Sequence, residues 1–253
     1  MIGGYCRLGE IIAVLSGKGG TGKTSTCSGV ASALAGQGLR VLCIDCDVGL
    51  RNLDISLGMS DIGTLSFLDV CTGHYSVDLA PRHPLYPTLF FLTAPMNYPI
   101  EKIDKEQFAS FLRQARDSFD YIFLDAPAGV DSGFRLVTAA ADRFILVTGP
   151  GPAAIRDATR VSELLEIAGK KEARLVVNRV SKSMLGALRM TVDDVMDTAG
   201  LPLLGVVLED PSVTLAAAFG RCIHDYAPKS DAAKSFLRIA KRIQGIPEPI
   251  RLR

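Results

Sequence analysis

The chain has 253 residues, 48% hydrophobic and 22% charged, enough apolar material for one sizeable α/β domain. Its 28 Lys and Arg against 27 Asp and Glu leave a net charge of +1, which excludes a protein that holds nucleic acid by bulk charge. No stretch of about 18 apolar residues runs uninterrupted; residues 136–155 come nearest and are cut by Asp142, Arg143 and Gly-Pro pairs, so no membrane span is expected.

The first apolar run, EIIAVL at 10–15, reads as a strand and not as part of a cleavable signal, because it leads straight into a glycine-rich turn. Cytoplasm is therefore the expected location. A helix follows over Lys23 to Ala35, then a strand, RVLCID, at 40–45. The stretch after Thr72, with Tyr75, Pro81, His83, Pro84, Tyr86 and Pro87, is the least regular and reads as a surface excursion without assigned chemistry. Strand-like runs recur at 88–94, 121–126, 143–149, 173–178 and 203–208. Helical spacing covers Lys105 to Ser118, Gly133 to Ala141, Ala153 to Ala168 and Thr191 to Thr198. Continuously apolar strands alternating with helices predict a single α/β domain, a doubly wound and mostly parallel sheet spanning 1–253, with a core of about 10–245 and a short tail at 246–253. Ligands of such sheets bind beyond the carboxyl ends of the strands.

Six cysteines (Cys6, Cys27, Cys43, Cys46, Cys71, Cys222) are scattered and suggest buried thiols, not a disulfide framework. Cys43 and Cys46 have metal-like spacing, but in a strand positions three apart point to opposite faces. The histidines His74, His83 and His224 are isolated, so a zinc site is not expected.

Between the first strand and the first helix lies Gly17-Lys18-Gly19-Gly20-Thr21-Gly22-Lys23-Thr24, which fits G-x-x-x-x-G-K-[ST] without a mismatch, with Ser25 following. The inner glycines let backbone N–H groups approach phosphate oxygens, and the helix directs its positive end at the same place. Lys23 suits the β- and γ-phosphates and the Thr24 hydroxyl suits Mg²⁺. Asp45 and Asp47 at the end of the second strand are either a solvated turn or carboxylates that orient water or reach Mg²⁺ indirectly. Asp125, at the tip of YIFLD, suits water-mediated Mg²⁺ binding.

Lys18 has no obvious phosphate to reach within its own loop. With it, Lys-Gly-Gly-x-Gly-Lys-Thr at 18–24 resembles the deviant Walker A signature of the ParA/MinD family of P-loop ATPases. The run DxDxGLRNLD from Asp45 and the run Asp-x-Pro-Ala-Gly from Asp125 are similar to switches I and II of the MinD branch, and the likeness covers about residues 10–245. This resemblance implies a P-loop fold and slow, partner-stimulated hydrolysis of ATP with Mg²⁺ in an ATP-dependent homodimer. It implies that Lys18 contacts the nucleotide of the partner subunit, that Asp47 is the catalytic, water-polarising residue and that Asp45 supports the metal region. Asn178 would read the adenine, with Asp210 and Pro211 as the other wall. Leu208 departs from the proline usual there. The implied partners are a division inhibitor of the MinC type and a MinE- or DivIVA-linked topological regulator, with septum placement as the output.

Other readings use the same engine. Iron–sulfur relatives need cysteines near switch II or a C-terminal CxxC, and none occurs between Cys71 and Cys222. A ParA-type DNA-segregation ATPase needs a basic surface, and an FlhG-type flagellar placement ATPase is a further alternative, though GLRNLD favours the MinD branch. Lys234, Arg238, Lys241 and Arg242 fall on one face of the last helix and read as a solvated basic face. From 234 onward six basic residues, Arg251 and Arg253 included, stand against Glu248. Pro247 and Pro249 exclude the amphipathic anchor helix usual beyond this point, so contact with the anionic inner face of the cell membrane is expected to be weak, through the basic helix, or supplied by a partner.

Overall fold

The computed structural model describes residues 8–250; Cys6, Arg251 and Arg253 lie outside the described residues. Seven strands, β1 (Glu10–Leu15), β2 (Val41–Asp45), β3 (Leu89–Leu92), β4 (Tyr121–Asp125), β5 (Arg143–Thr148), β6 (Ala173–Val180) and β7 (Leu203–Leu208), pair in the order β3-β2-β4-β1-β5-β6-β7. Every pairing is parallel. Each expected strand is present, and β6 runs on to Val180.

The helices are α1 (Lys23–Ala35), α2 (Leu53–Leu57), α3 (Phe67–Cys71), α4 (Lys105–Ala115), α5 (Ser132–Ala140), α6 (Pro152–Ile167), α7 (Lys182–Leu188), α8 (Val192–Ala199), α9 (Pro211–Ala218), α10 (Ile223–Tyr226) and α11 (Asp231–Ile243). Alternation along β1 divides the core. Ile11, Ala13 and Leu15 join Phe67, Phe108, Leu136, Val161 and Val195 on one side of the sheet. Ile12 and Val14 join Cys27, Leu53, Ile223 and Phe236 on the other. Strands covered on both faces must be apolar throughout, and that is the pattern read from the sequence. Cys43 and Cys46 belong to opposite clusters, as the strand period requires, and both thiols are free.

α1 packs on the sheet beside α11, which itself covers β7, and is buried nearly all round, which explains its small residues. A Cβ on Gly29 would fall 2.4 Å from the Phe236 ring, so the close approach of the two helices needs glycine there. The order of the sheet reverses about β1: β2 lies on one side, beyond β4, and β5 on the other. This brings the carboxyl ends of β1, β2 and β4 side by side, with Asp45 and Asp125 in register across β2 and β4.

Two local expectations need correction. The stretch after Thr72 is no simple surface excursion, because His83 is buried within it. Its Nε2 donates to the Leu57 carbonyl at 2.9 Å, and its Nδ1 accepts from the N–H groups of Leu85 and Tyr86 at 3.1 and 3.2 Å. The basic face of α11 is not simply solvated either. The Lys241 ammonium lies 2.6 Å from Glu248, and Arg242 donates to the carbonyls of Leu204 and Glu248. The chain turns back after α11 through Gly245, at φ 80°, and that return brings Glu248 onto the helix.

Burial lowers the pKa of His83, against a smaller opposite pull from the Leu57 carbonyl, and the two donors at Nδ1 leave no place for a second proton. The unfolded chain therefore takes up a proton near pH 6.5 that the fold refuses, so this group destabilises the fold as pH drops below that value. In urea titrations between pH 7.5 and 5, wild type should lose stability relative to His83→Gln by up to about 1.4 kcal/mol per pH unit. Parallel pH profiles would show that His83 does not titrate differently in the two states.

Candidate nucleotide and metal site

β1 delivers the loop from Ser16 to Gly22, and α1 begins at Lys23. Gly22 sits in the left-handed region at φ 89°, and a Cβ there would lie 1.9 Å from the amide nitrogen of Asn178. Glycine is thus required by both backbone and neighbour. No side chain caps α1, so the N–H groups of its first turn remain available to an anion.

Asp125 holds the two reactive side chains at the start of α1. Its Oδ1 lies 2.6 Å from Lys23 Nζ, and its Oδ2 accepts from the Thr24 hydroxyl at 2.7 Å. The lysine and aspartate side chains are only 8% and 2% exposed. The sequence aims Lys23 at phosphates; here its ammonium rests on Asp125, because a buried cation needs a counter-charge. Burial works against that ammonium, but the Asp125 carboxylate outweighs it and keeps the lysine pKa above its ordinary value.

Asp45 is almost fully buried, and burial together with the Asp125 charge pushes its carboxyl up to about 7. Its oxygens accept from the backbone N–H groups of Asp47, at 2.9 Å, and Leu53, at 3.1 Å. Asp45 therefore fastens both ends of the loop after β2. The Thr24 hydroxyl and the Asp125 and Asp45 carboxylates form an all-oxygen set, which fits a hard divalent cation such as Mg²⁺. Asp47 Oδ1 accepts from the N–H groups of Gly49 and Leu50, both at 3.1 Å.

Lys18 is exposed at the outer edge of the loop, where its carbonyl accepts from the Ser16 and Thr21 hydroxyls at 3.1 and 3.4 Å. Among the described residues no carboxylate pairs with its ammonium.

Asn178 is turned toward the loop by a register shift in β6, with Arg179 left-handed at φ 56°. Its amide N–H donates to the Thr21 carbonyl at 2.8 Å. Ser25, Asn178, Asp210 and Pro211 line one cavity of about 370 Å³ together with Gly22 and Leu208. The residues expected to form the base pocket are thus assembled beside the phosphate loop. Asp210 also caps α9: burial opposes its charge, but the N–H groups of Ala232 and Ser212 more than compensate and hold its carboxyl below the usual range.

Two couplings escaped the sequence reading. The Gly129 N–H donates to the Ser16 carbonyl at 3.1 Å, tying the turn after β4 to the start of the phosphate loop. Arg51 adopts φ 44° and donates from Nε and Nη2 to the Thr93 hydroxyl at 3.1 and 2.8 Å. Neither leaves a sequence signal, since one is a backbone contact and the other joins residues 42 apart.

Residues 12–223 match the family model described as the CobQ/CobB/MinD/ParA nucleotide binding domain. The chain is 37% identical over 240 residues to the septum site-determining protein MinD of Synechocystis sp., covering 94% of this chain and 90% of that protein. Its fold is similar to that of the MinC:MinD cell division protein complex of Aquifex aeolicus, with a TM-score of 0.88 and 32% identity over 96% of this chain and 98% of that one. It is also similar to the septum site-determining protein MinD of Pyrococcus horikoshii complexed with Mg-ADP, with a TM-score of 0.81 and 27% identity over 93% and 96% of the two chains.

The buried pair sets a test. Lys23→Met leaves the Asp125 charge without its cation and should lower unfolding free energy by about 3–5 kcal/mol. Adding Asp125→Asn should recover most of that loss without restoring nucleotide binding. Additive losses in urea denaturation would mean that the pair is not coupled.

Proposed function

The chain belongs to the CobQ/CobB/MinD/ParA nucleotide-binding family, and from that premise we propose that it is an ATP-driven, dimerising switch that hydrolyses ATP to ADP and places the division septum. The observation that carries this reading is the clamp of Asp125 on Lys23 and Thr24, below a loop that presents Lys18 outward. The whole chain, 1–253, acts as one ATPase unit.

When phosphates enter the loop, the N–H groups of residues 17–25 and the start of α1 bind them, and Lys23 transfers its ammonium from Asp125 to the β- and γ-oxygens. Thr24 and Asp125 would hold Mg²⁺, with the Asp45 carboxyl beside them. The chemistry such an ion would supply there is neutralisation of phosphate charge. Asp47 orients the water that attacks the γ-phosphorus, and Lys18 of each subunit stabilises the charge developing on its partner's nucleotide. Asn178, Asp210 and Pro211 hold the base. After the bond to the leaving ADP breaks, switches I and II, at 45–54 and 125–129, relax and the dimer opens.

The ATP dimer engages a division inhibitor of the MinC type, as the likeness to the Aquifex complex supports. A MinE- or DivIVA-linked regulator sets where this happens. Among the described residues no helix is long and apolar enough to cross a membrane. Contact with the anionic inner face of the membrane is peripheral and weak, because Lys241 and Arg242 on the basic face of α11 are already bonded within the chain. The same internal bonding disfavours DNA segregation as the output.

In sedimentation velocity the protein should run as a dimer with ATP and as a monomer with ADP. Lys18→Ala should remove the ATP dimer and lower turnover by about 10²-fold or more, while ADP binding persists. A Lys18→Ala protein that dimerises and turns over like wild type would overturn the reading, and a steeply salt-dependent, ATP-dependent shift of duplex DNA would favour the DNA-segregation alternative.

A further inference from the structure

We propose that Arg51 and Thr93 act as a brake on switch I, positioning residues that keep the Asp47 carboxylate engaged with its own loop. This rests on the reading of Asp47 as the residue that orients water. As the loop stands, Asp47 Oδ1 accepts from Gly49 and Leu50, and the Asp47 carbonyl accepts from the Arg51 N–H at 3.2 Å. An oxygen that already accepts two backbone N–H bonds has no lone pair left to take a proton from water, and the turn holds it facing its own loop.

The turn is closed by a residue in an unfavourable conformation. Arg51 at φ 44° is left-handed, a state that costs a residue bearing a Cβ. Its guanidinium compensates by placing two N–H groups on the Thr93 hydroxyl. Thr93 is a firm post. It is buried at the end of β3, its N–H donates to the Leu65 carbonyl and its carbonyl accepts from the Phe67 N–H, both at 2.9 Å. A side chain half in solvent is thus hooked to the rigid edge of the sheet, and the hook holds strain in the loop that carries Asp47.

Once the hook is removed, Arg51 relaxes out of the left-handed region and the turn from Asp47 to Arg51 opens. Asp47 then loses its two internal donors, and the oxygen they occupied is free to accept from water. The brake acts on the chemical step and not on nucleotide affinity, because neither Arg51 nor Thr93 lines the cavity beside the phosphate loop.

Single-turnover ATP hydrolysis with protein in excess tests this. Thr93→Val preserves shape and removes the acceptor; Arg51→Ala removes the hook and keeps the Cβ that disfavours positive φ, so the turn opens. Both should raise the hydrolysis rate by roughly three- to tenfold, the size expected from the strain of one left-handed residue, with ATP affinity within about twofold of wild type. Arg51→Gly also lacks the hook, but glycine is at ease with positive φ, so the loop keeps its shape and the rate should stay within about twofold of wild type. General loosening would move all three variants alike and would refute the brake. So would a Thr93→Val protein no faster than wild type when Asp47→Ala is inactive. A fully active Asp47→Ala protein would instead refute the underlying role of Asp47.

Discussion

The carboxylate of Asp125 is the constraint around which the site is built. It stands at the end of a central strand, is almost completely buried, and holds the ammonium of Lys23 and the hydroxyl of Thr24 on its two oxygens. A charge in that position is tolerable only with a partner, and the partner is the residue the phosphate loop needs for its ligand. The same carboxylate lies in register with Asp45, where burial, reinforced by the Asp125 charge, raises that second carboxyl to about 7. Three strand ends, one loop and the start of one helix are fixed by this arrangement. A phosphate that takes Lys23 leaves the Asp125 carboxylate without its counter-charge, and a divalent cation is the chemical answer. Nucleotide and metal binding are thus coupled by electrostatics before any larger movement occurs.

The loops that would report the state of the nucleotide are fastened to the same group of atoms. Asp45 binds the backbone at both ends of switch I, and the turn after β4 is bonded to Ser16. The loop after β2 is thus bonded directly to the Asp45 carboxyl, and the turn after β4 to the start of the phosphate loop. Asn178 adds a third link, from the base cavity to the carbonyl of Thr21. A hydrolytic switch needs such connections, because the γ-phosphate must alter the shape of surfaces that a partner can read.

Much of this was legible in the sequence, for identifiable reasons. Continuously apolar runs marked all seven strands because each is covered on both faces, and the phosphate loop was readable because its chemistry requires fixed spacing. Gly22 illustrates the limit: its place in the motif is apparent, but its close approach to Asn178 depends on a register shift 150-odd residues away. The short helices α2, α3, α7, α9 and α10 were missed, as segments of four to eight residues carry too few turns to show a period. Lys241 and Arg242 looked solvated because nothing local shows that Glu248 returns to them. His83 looked like a loop residue because its three partners are backbone groups.

Asp125 would link nucleotide to metal, and the Mg²⁺ dependence of nucleotide affinity measures that link directly. Titrating ADP calorimetrically with and without Mg²⁺ should show that the ion strengthens binding to wild type by about tenfold or more, yet changes binding to Asp125→Asn by less than about threefold. In the absence of Mg²⁺ the variant should bind at least as tightly as wild type, since Lys23 is already free. Equal enhancement by Mg²⁺ in both proteins would contradict the account.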